Sequence, residues 1–241
     1  MIGTGTIINS IGIVAGGIVG HFTGKFFKEK QQDAVNKVCG LSVMFIAISG
    51  AMSGMLKMNN GKITSGKSIL VVLCVVIGTI AGEFVGIENG FEKFGEWLKN
   101  KTGNGEDAEF VNAFVTASLT VSIGAMAIVG AIQDGLTGDY STLAVKTVLD
   151  FIIVSVMTSS MGKGCVFSAI PVFVFEGFIT LLARLVSPIM TETAVSYLSL
   201  VGSVLIFCIG VNSVWGKKFR VANMLPAMIL AIIAAYLPFG F

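Results

Sequence analysis

Long apolar runs recur along this chain and restrict it to one class of fold. Eight of them reach, or nearly reach, the roughly 20 residues that an α-helix needs to cross about 30 Å of hydrocarbon. Only 12% of the 241 residues are charged, against about 25% in a typical soluble domain. No soluble core could cover so much apolar surface. We therefore predict a single transmembrane domain, residues 1–241, folded as an all-α polytopic helix bundle.

Short polar segments separate the eight predicted spans. Each span should be helical, because a backbone that faces lipid must satisfy its own hydrogen bonds. The fourth and fifth spans contain polar residues, and a seven-span count follows if either fails to cross. The spans cover residues 2–22, 38–56, 68–88, 110–132, 142–161, 165–186, 195–214 and 221–239.

Positive charges set the expected orientation of the bundle. Eleven Lys and Arg residues follow spans one, three, five and seven, whereas five lie elsewhere. Because cytoplasmic loops are enriched in Lys and Arg, this bias predicts that both termini are extracytoplasmic. Lys57, Lys62 and Lys67 oppose the bias.

The segment 89–101 has a different pattern from the spans. Phe91, Phe94 and Trp97 recur at helical spacing among charged residues. This predicts a short amphipathic helix that lies in the cytoplasmic interface.

Two of the spans resemble each other. The sequence from Gly40 in span two and that from Gly202 in span seven are both small-residue helices followed by a loop that contains lysine. If spans 1–3 correspond to spans 6–8, the copies run in opposite directions. That arrangement predicts the inverted repeat that many secondary transporters use.

Carboxylates inside the spans are the first candidates for function, because a charge at bilayer depth is costly unless it is paired or solvated. Glu176, beside Pro171, is predicted to bind a proton or a cation; the alternative is a neutral acid bonded to another helix. Asp150 has Lys146 one turn before it, so a local ion pair explains it equally well. Glu83 is predicted to reach the cytoplasmic interface, with a binding role as the second interpretation.

Polar residues near helix ends complete the candidate site. Gln133 and Asp134 lie in the glycine-rich stretch GAMAIVGAIQDGLTGDYS, which includes Gly124. They either bind an ion or solute at a helix break, or form an ordinary extracellular turn in which Asp134 caps the next helix. Asn9 and Asn223 are predicted to hydrogen-bond neighbouring helices or to line the same polar site.

Other classes of function have little support. Lys and Arg are spread along the chain and form no basic patch, which argues against nucleic-acid binding. A single histidine, His21, cannot build a zinc site. No P-loop, dinucleotide fingerprint or Ser, His and Asp arrangement is present, so we expect neither an enzyme nor a bound cofactor.

The segments GAMAIVGAIQDGLTGDYS, FSAIPVFVFEGFITLLA and RVANMLPA carry a resemblance to a known family. Together with the opening GTIINSIGIVAGGIVG and the GEFVGIE segment around Glu83, they resemble the YqgA/YdfK-type family of small bacterial and archaeal membrane proteins. The resemblance implies a location in the inner (cell) membrane and a role for the Gln133 and Asp134 segment. It implies no substrate.

We expect a secondary transporter of an ion or small solute, coupled to protons or sodium through the buried carboxylates. A passive cation channel lined by the same acids is the second hypothesis. The third is a scaffold or sensor whose partner binds around Trp97. Apart from the lipid bilayer, a homo-oligomer is a further expectation, because the 30 glycines offer many close-packing surfaces.

Overall fold

The computed structural model describes residues 2–24, 29–59, 61–104, 107, 109–122 and 125–237. Gly124 lies outside these ranges, as do Lys25 and Lys28, two of the eleven cations counted for the orientation.

The described residues form eleven α-helices and one β-hairpin. Short 3-10 turns at Lys163–Ser168, Ser187–Ile189 and Val221–Met224 follow α7, α9 and α10 respectively. The hairpin joins α2 to α3, and its strands are antiparallel with Leu56 opposite Ser65. The elements are α1 (Thr4–Gly24), α2 (Glu29–Met55), β1 (Leu56–Asn59), β2 (Lys62–Ser65), α3 (Ser68–Val85), α4 (Ile87–Lys101), α5 (Phe110–Ser122), α6 (Ala125–Thr137), α7 (Ser141–Met161), α8 (Ala169–Leu181), α9 (Ala183–Val186), α10 (Glu192–Trp215) and α11 (Pro226–Ala234).

Five of the described helices are long and apolar enough to cross a membrane. They are α1, α3, α7, α10 and the helix Lys163–Leu181, which contains α8. The pair α5 and α6 makes a sixth if it counts as one span, and Gly40–Met55 and Val221–Ala234 are shorter apolar helices. The polytopic helical bundle is thus confirmed, whereas the count of eight spans stays a prediction.

The predicted fourth span is not one straight helix. It is divided into α5 and α6, and the two halves are bent by 62°. Helix α5 ends at Ser122 and α6 begins at Ala125. Such a break exposes backbone groups in the interior of the bundle, where other side chains must satisfy them.

The outer surface of the bundle is apolar. Phe84 is 88% exposed and Leu181 is 83% exposed, and large aliphatic side chains cover most of the outward faces of α1, α3 and α7. Exposed apolar surface of this extent fits contact with lipid rather than with water.

Glycines bring α1 into backbone contact with α7. Gly16 lies so close to Phe151 that a Cβ atom built on it would be 3.0 Å from the Phe151 Cα and closer still to the carbonyl oxygen. Because the sequence numbers of the facing residues rise together, the two helices run parallel. The glycines Gly5, Gly12, Gly16, Gly20 and Gly24 meet Leu143, Thr147, Phe151, Ser155 and Ser159.

Two other helix pairs run antiparallel. Gly40 of α2 faces Gly210 of α10, whereas Gly54 faces Leu200. In the same way, Gly78 and Gly82 of α3 approach Ala227 of α11 and Asn223 in the turn before it. These are the relative directions that eight successive crossings require.

The segment 89–101 lies within α4, and its place in the cytoplasmic interface stays a prediction. Phe94 stacks on Trp97 and also contacts the ring of Phe114 in α5. Leu98 is buried, whereas Trp97 is 55% exposed.

Candidate functional site

Four polar side chains from three helices meet inside the bundle, and we call them the charged cluster. They are Asn9 of α1, Lys146 and Asp150 of α7, and Glu176 of α8. Asn9 Nδ2 donates a hydrogen bond to Glu176 Oε1 at 2.9 Å. Lys146 Nζ pairs with Asp150 Oδ2 and lies 3.5 Å from Glu176 Oε1. All four residues are buried, and Asn9 and Glu176 have no exposed surface.

Helix geometry explains why these residues meet. Lys146 and Asp150 are one turn apart and share a face of α7. Asn9 lies five residues, or about 7.5 Å, into α1 from its first residue, Thr4. Because α1 and α8 run antiparallel, Thr6 contacts Thr180 through their hydroxyl oxygens at 3.2 Å, and Asn9 then faces Glu176 one turn further in.

Lys146 also ties the cluster to the broken helix. Its ammonium donates a hydrogen bond to the carbonyl oxygen of Val121, in the last turn of α5, at 2.8 Å. Carbonyl groups in the last turn of a helix lack an intrahelical partner, so Lys146 satisfies one that the break exposes. The cluster therefore lies directly beside the break between α5 and α6.

Two oxygen atoms of the charged cluster have no hydrogen-bond partner among the described residues. They are Asn9 Oδ1 and Glu176 Oε2, both buried. With both acids ionised, the cluster carries a formal charge of −1, from two carboxylates and one ammonium. A buried net charge is costly in a bundle surrounded by lipid. One proton or one monovalent cation would neutralise it.

Asp134 and Gln133 lie on α6 and make structural contacts. Asp134 is fully buried, and its two carboxylate oxygens accept hydrogen bonds from the backbone N–H groups of Gly3 and Gly5 at 3.2 and 2.9 Å. It thus caps the start of α1, not the helix that follows it in sequence. Gln133 accepts a hydrogen bond from the Thr142 hydroxyl at 2.7 Å. No contact joins either side chain to the charged cluster within the part of the chain described.

Glu83 and Asn223 lie at the other end of the bundle. Glu83 is partly exposed and pairs with Arg220 at 3.1 Å; that it reaches the cytoplasmic interface stays a prediction. Asn223 is buried, and its Oδ1 accepts a hydrogen bond from the backbone N–H of Glu88 at 2.7 Å. These contacts tie α3 and α4 to the segment 220–224, and no hydrogen bond or ion pair among the described residues joins them to the charged cluster. A binding role for the predicted site residues stays a prediction.

The sequence analysis missed a second set of charges, which we call the Lys217 triad. The Lys217 ammonium lies 2.7 Å from carboxylate oxygens of both Glu88 and Glu92 on α4. Burial alone would lower the pKa of Lys217, but the hydrogen bonds to the two carboxylates outweigh it and raise that pKa. The ammonium therefore stays charged at neutral pH. Glu88 and Lys217 are 129 residues apart in sequence, so no local pattern signals the contact.

A cavity of about 620 Å³ adjoins the Lys217 triad, and we call it the α4 cavity. Its walls come from α4, from Asp33 and Lys37 near the start of α2, from most of α5 and from the end of α10. Along α5 it extends from Asn112 through Thr116 to Leu119. Leu119 is two residues from Val121, so the inner end of the cavity approaches the depth of the charged cluster, with α5 between them.

Metal binding has no geometric support in the part of the chain that is described. No group of three or more His, Cys, Asp or Glu side chains there could hold a metal ion.

An apolar helical bundle with a charged cluster at a helix break defines the class, a polytopic α-helical membrane protein. Within that class, the chain belongs to the DUF554 family, described as a protein of unknown function, whose pattern matches residues 4–236. This confirms the resemblance drawn from the sequence.

Two relatives cover nearly the whole chain. The uncharacterized membrane protein YdfK of Bacillus subtilis (strain 168) is 28% identical over 237 residues, 98% of this chain and 97% of the relative. The uncharacterized protein YqgA of Escherichia coli (strain K12) is 25% identical over 232 residues, 95% and 94% of the two chains. No solved structure matches the chain.

Proposed function

We propose that this protein is a secondary transporter of an ion or small solute, and that protonation of the charged cluster couples transport to a proton gradient. The observation that carries the proposal is the position of the cluster. Two carboxylates and one ammonium are buried between membrane helices, and Lys146 holds the carbonyl group of Val121 at a helix break. Broken helices of this kind form the substrate and ion sites of many transporters.

Charge balance suggests how coupling works. When Glu176 takes up a proton, the cluster becomes neutral, and Lys146 pairs with Asp150 alone. When Glu176 is ionised, it competes with the Val121 carbonyl and Asp150 for the Lys146 ammonium. The protonation state thus changes how strongly α5, α7 and α8 are held together, which favours one helix arrangement over another.

We place the protein in the cytoplasmic membrane of a bacterium or archaeon, with both termini outside. The distribution of Lys and Arg supports this orientation. It puts α4 and the α4 cavity on the cytoplasmic side, and the cap formed by Asp134 on the outer side.

Current measurements on proteoliposomes adsorbed to a solid support test the transport proposal. We expect solute-evoked currents that depend on the pH gradient, within a panel of Na⁺, K⁺, amines, amino acids and carboxylates. Glu176→Gln should abolish the currents, because it removes the titratable group but keeps the acceptor for Asn9. Glu83→Gln is the matched control, because Glu83 is exposed and paired with Arg220.

Three results would contradict the proposal. Full currents in Glu176→Gln would remove this residue from coupling. Flux that never saturates and needs no gradient would favour a channel. Silent vesicles, together with partner capture that depends on the exposed Trp97 face of α4, would favour a scaffold.

A further inference from the structure

One carboxylate oxygen of the Lys217 triad is left without a partner. Glu88 Oε1 lies 2.7 Å from the Lys217 ammonium, whereas Oε2 accepts no hydrogen bond from any described residue. Glu88 is only 3% exposed. A buried carboxylate oxygen without a donor is unfavourable, so a ligand that supplies a donor would be bound favourably here.

The α4 cavity is the space from which such a donor could approach. Glu88 lines it, together with Glu92, and the walls carry two polar side chains of α5, Asn112 and Thr116. Its volume of about 620 Å³ falls within the range of roughly 300–1,000 Å³ that is usual for small-molecule sites.

We propose that the α4 cavity binds a small organic cation, and that an ammonium group of this ligand pairs with Glu88. An anionic ligand would face three carboxylates, those of Asp33, Glu88 and Glu92, against two ammonium groups, those of Lys37 and Lys217. A neutral ligand without a donor would leave Glu88 Oε2 unpaired. A neutral donor would satisfy Glu88 Oε2 but would leave the excess of negative charge unbalanced, whereas a positively charged donor satisfies both conditions.

If the transport proposal holds, this cavity is the cytoplasmic entrance for the solute. That interpretation rests on the proposed function, whereas binding itself does not. Helix α5 forms the wall between the cavity and the charged cluster: Leu119 lines the cavity, and the carbonyl of Val121 holds Lys146. Movement of α5 at its break would then connect the two sites.

Binding can be measured on the purified full-length protein in detergent. The probes are ethylammonium and 1,4-diaminobutane, with 1,4-butanediol as the neutral analogue and NaCl at matched ionic strength. We expect saturable heat in titration calorimetry and a rise in Tm for the two amines only.

Variants locate the site. Glu88→Gln keeps an acceptor for Lys217 but loses the charge, and should weaken amine binding at least about tenfold. Glu96→Gln is the matched control, because Glu96 is an exposed residue on the same helix. Thr116→Phe should weaken binding by narrowing the cavity while leaving the Lys217 triad intact, which keeps the test decisive if Glu88→Gln fails to fold.

The outcomes separate this inference from the transport proposal. Equal binding in Glu88→Gln, equal binding of 1,4-butanediol, or no amine binding by the unmodified protein would each overturn the inference. Amine binding that survives Glu176→Gln is expected, because Glu176 lies on the other side of α5. Amine binding without any current would support the site and overturn the transport proposal. Current without amine binding would support the transport proposal and overturn the site.

Discussion

At the scale of single residues, two ion pairs of the same spacing differ in their surroundings. Lys146 and Asp150 are buried between helices, whereas Lys37 and Asp33 are about half exposed, and both pairs are separated by four residues. A buried charge that loses its partner is strongly destabilising, whereas an exposed pair contributes little. The two pairs therefore form a matched experiment.

Lys146→Met should lower the free energy of unfolding by about 3–5 kcal/mol, because it leaves two buried carboxylates without a cation. Adding Asp150→Leu should recover much of that loss, since one of the two uncompensated charges disappears. Lys37→Met should change stability by less than about 1 kcal/mol. Denaturation in mixed detergent micelles measures all three. Equal losses for Lys146→Met and Lys37→Met would show that the buried cluster does not stabilise the bundle.

The sequence predicts only part of the charged cluster. Helical spacing identified the pairing of Lys146 with Asp150 as one explanation, and the depth of Glu176 marked it as a candidate. Its contact with Asn9 joins residues 167 positions apart, and nothing in a single sequence specifies which helices pack together. For the same reason Asp134, a candidate ligand by its glycine-rich setting, instead caps the distant start of α1.

At the scale of helices, close packing in this bundle depends on glycine rather than on interlocking side chains. The contact between α1 and α7 brings backbone against backbone at Gly16, Gly20 and Gly24 of α1, whereas Gly5 and Gly12 lie closest to side chains. Without a hydrophobic driving force between helices in lipid, such close approach supplies van der Waals contact instead. A single methyl group added at this contact should therefore lower the stability of the bundle measurably.

Gly16→Ala should destabilise the bundle by about 1–3 kcal/mol, because the new Cβ would overlap the Phe151 backbone and push the helices apart. Gly90→Ala in α4 is the control: nothing lies within 4 Å of a Cβ there, so stability should stay the same or rise by up to about 1 kcal/mol. Thermal unfolding in one detergent compares the two. A neutral Gly16→Ala would mean that the close contact contributes no stability.

Helices were predicted better than their interruptions. The apolar runs and the spacing of Phe91, Phe94 and Trp97 indicated most of the helices, α4 included. A helix break in the glycine-rich stretch that begins at Gly124 was one of two interpretations, but the end of α5 at Ser122 was not predicted, because the run 110–132 has no proline and its polar residues are small. The Lys146 ammonium donates a hydrogen bond to the carbonyl oxygen of Val121, which is 25 residues away in sequence. A local sequence pattern cannot predict a contact between residues so far apart.

At the scale of the whole molecule, the packed helix pairs agree on one arrangement of directions. The parallel pair α1 and α7 and the antiparallel pairs α2 with α10 and α3 with α11 all fit eight alternating crossings. A Cβ built on Gly40 would lie 3.0 Å from the carbonyl oxygen of Gly210, and one built on Gly210 would lie 2.7 Å from the carbonyl oxygen of Gly40. A pseudo-two-fold axis between spans two and seven would require such a reciprocal contact. The inverted repeat, the eight-span count and the homo-oligomer stay predictions.

Cysteine labelling tests the topology. In a variant that lacks Cys39, Cys74, Cys165 and Cys208, Lys62→Cys should react with a membrane-impermeant maleimide on intact cells, because the proposed orientation puts the hairpin outside. Glu96→Cys in α4 should react only after the membrane is permeabilised. Labelling of both positions from one side would show that α3 does not cross the membrane.

The hairpin between α2 and α3 offers a practical consequence. β2 is exposed along its length, and the base of the hairpin is closed by a hydrogen bond from the Gly66 N–H to the Met55 carbonyl at 2.9 Å. Exposed loop tips tolerate added sequence, so a peptide epitope placed after Gly61 would be displayed above the lipid without entering the bundle. An antibody fragment bound there would give this small, detergent-covered molecule a rigid landmark for aligning particle images.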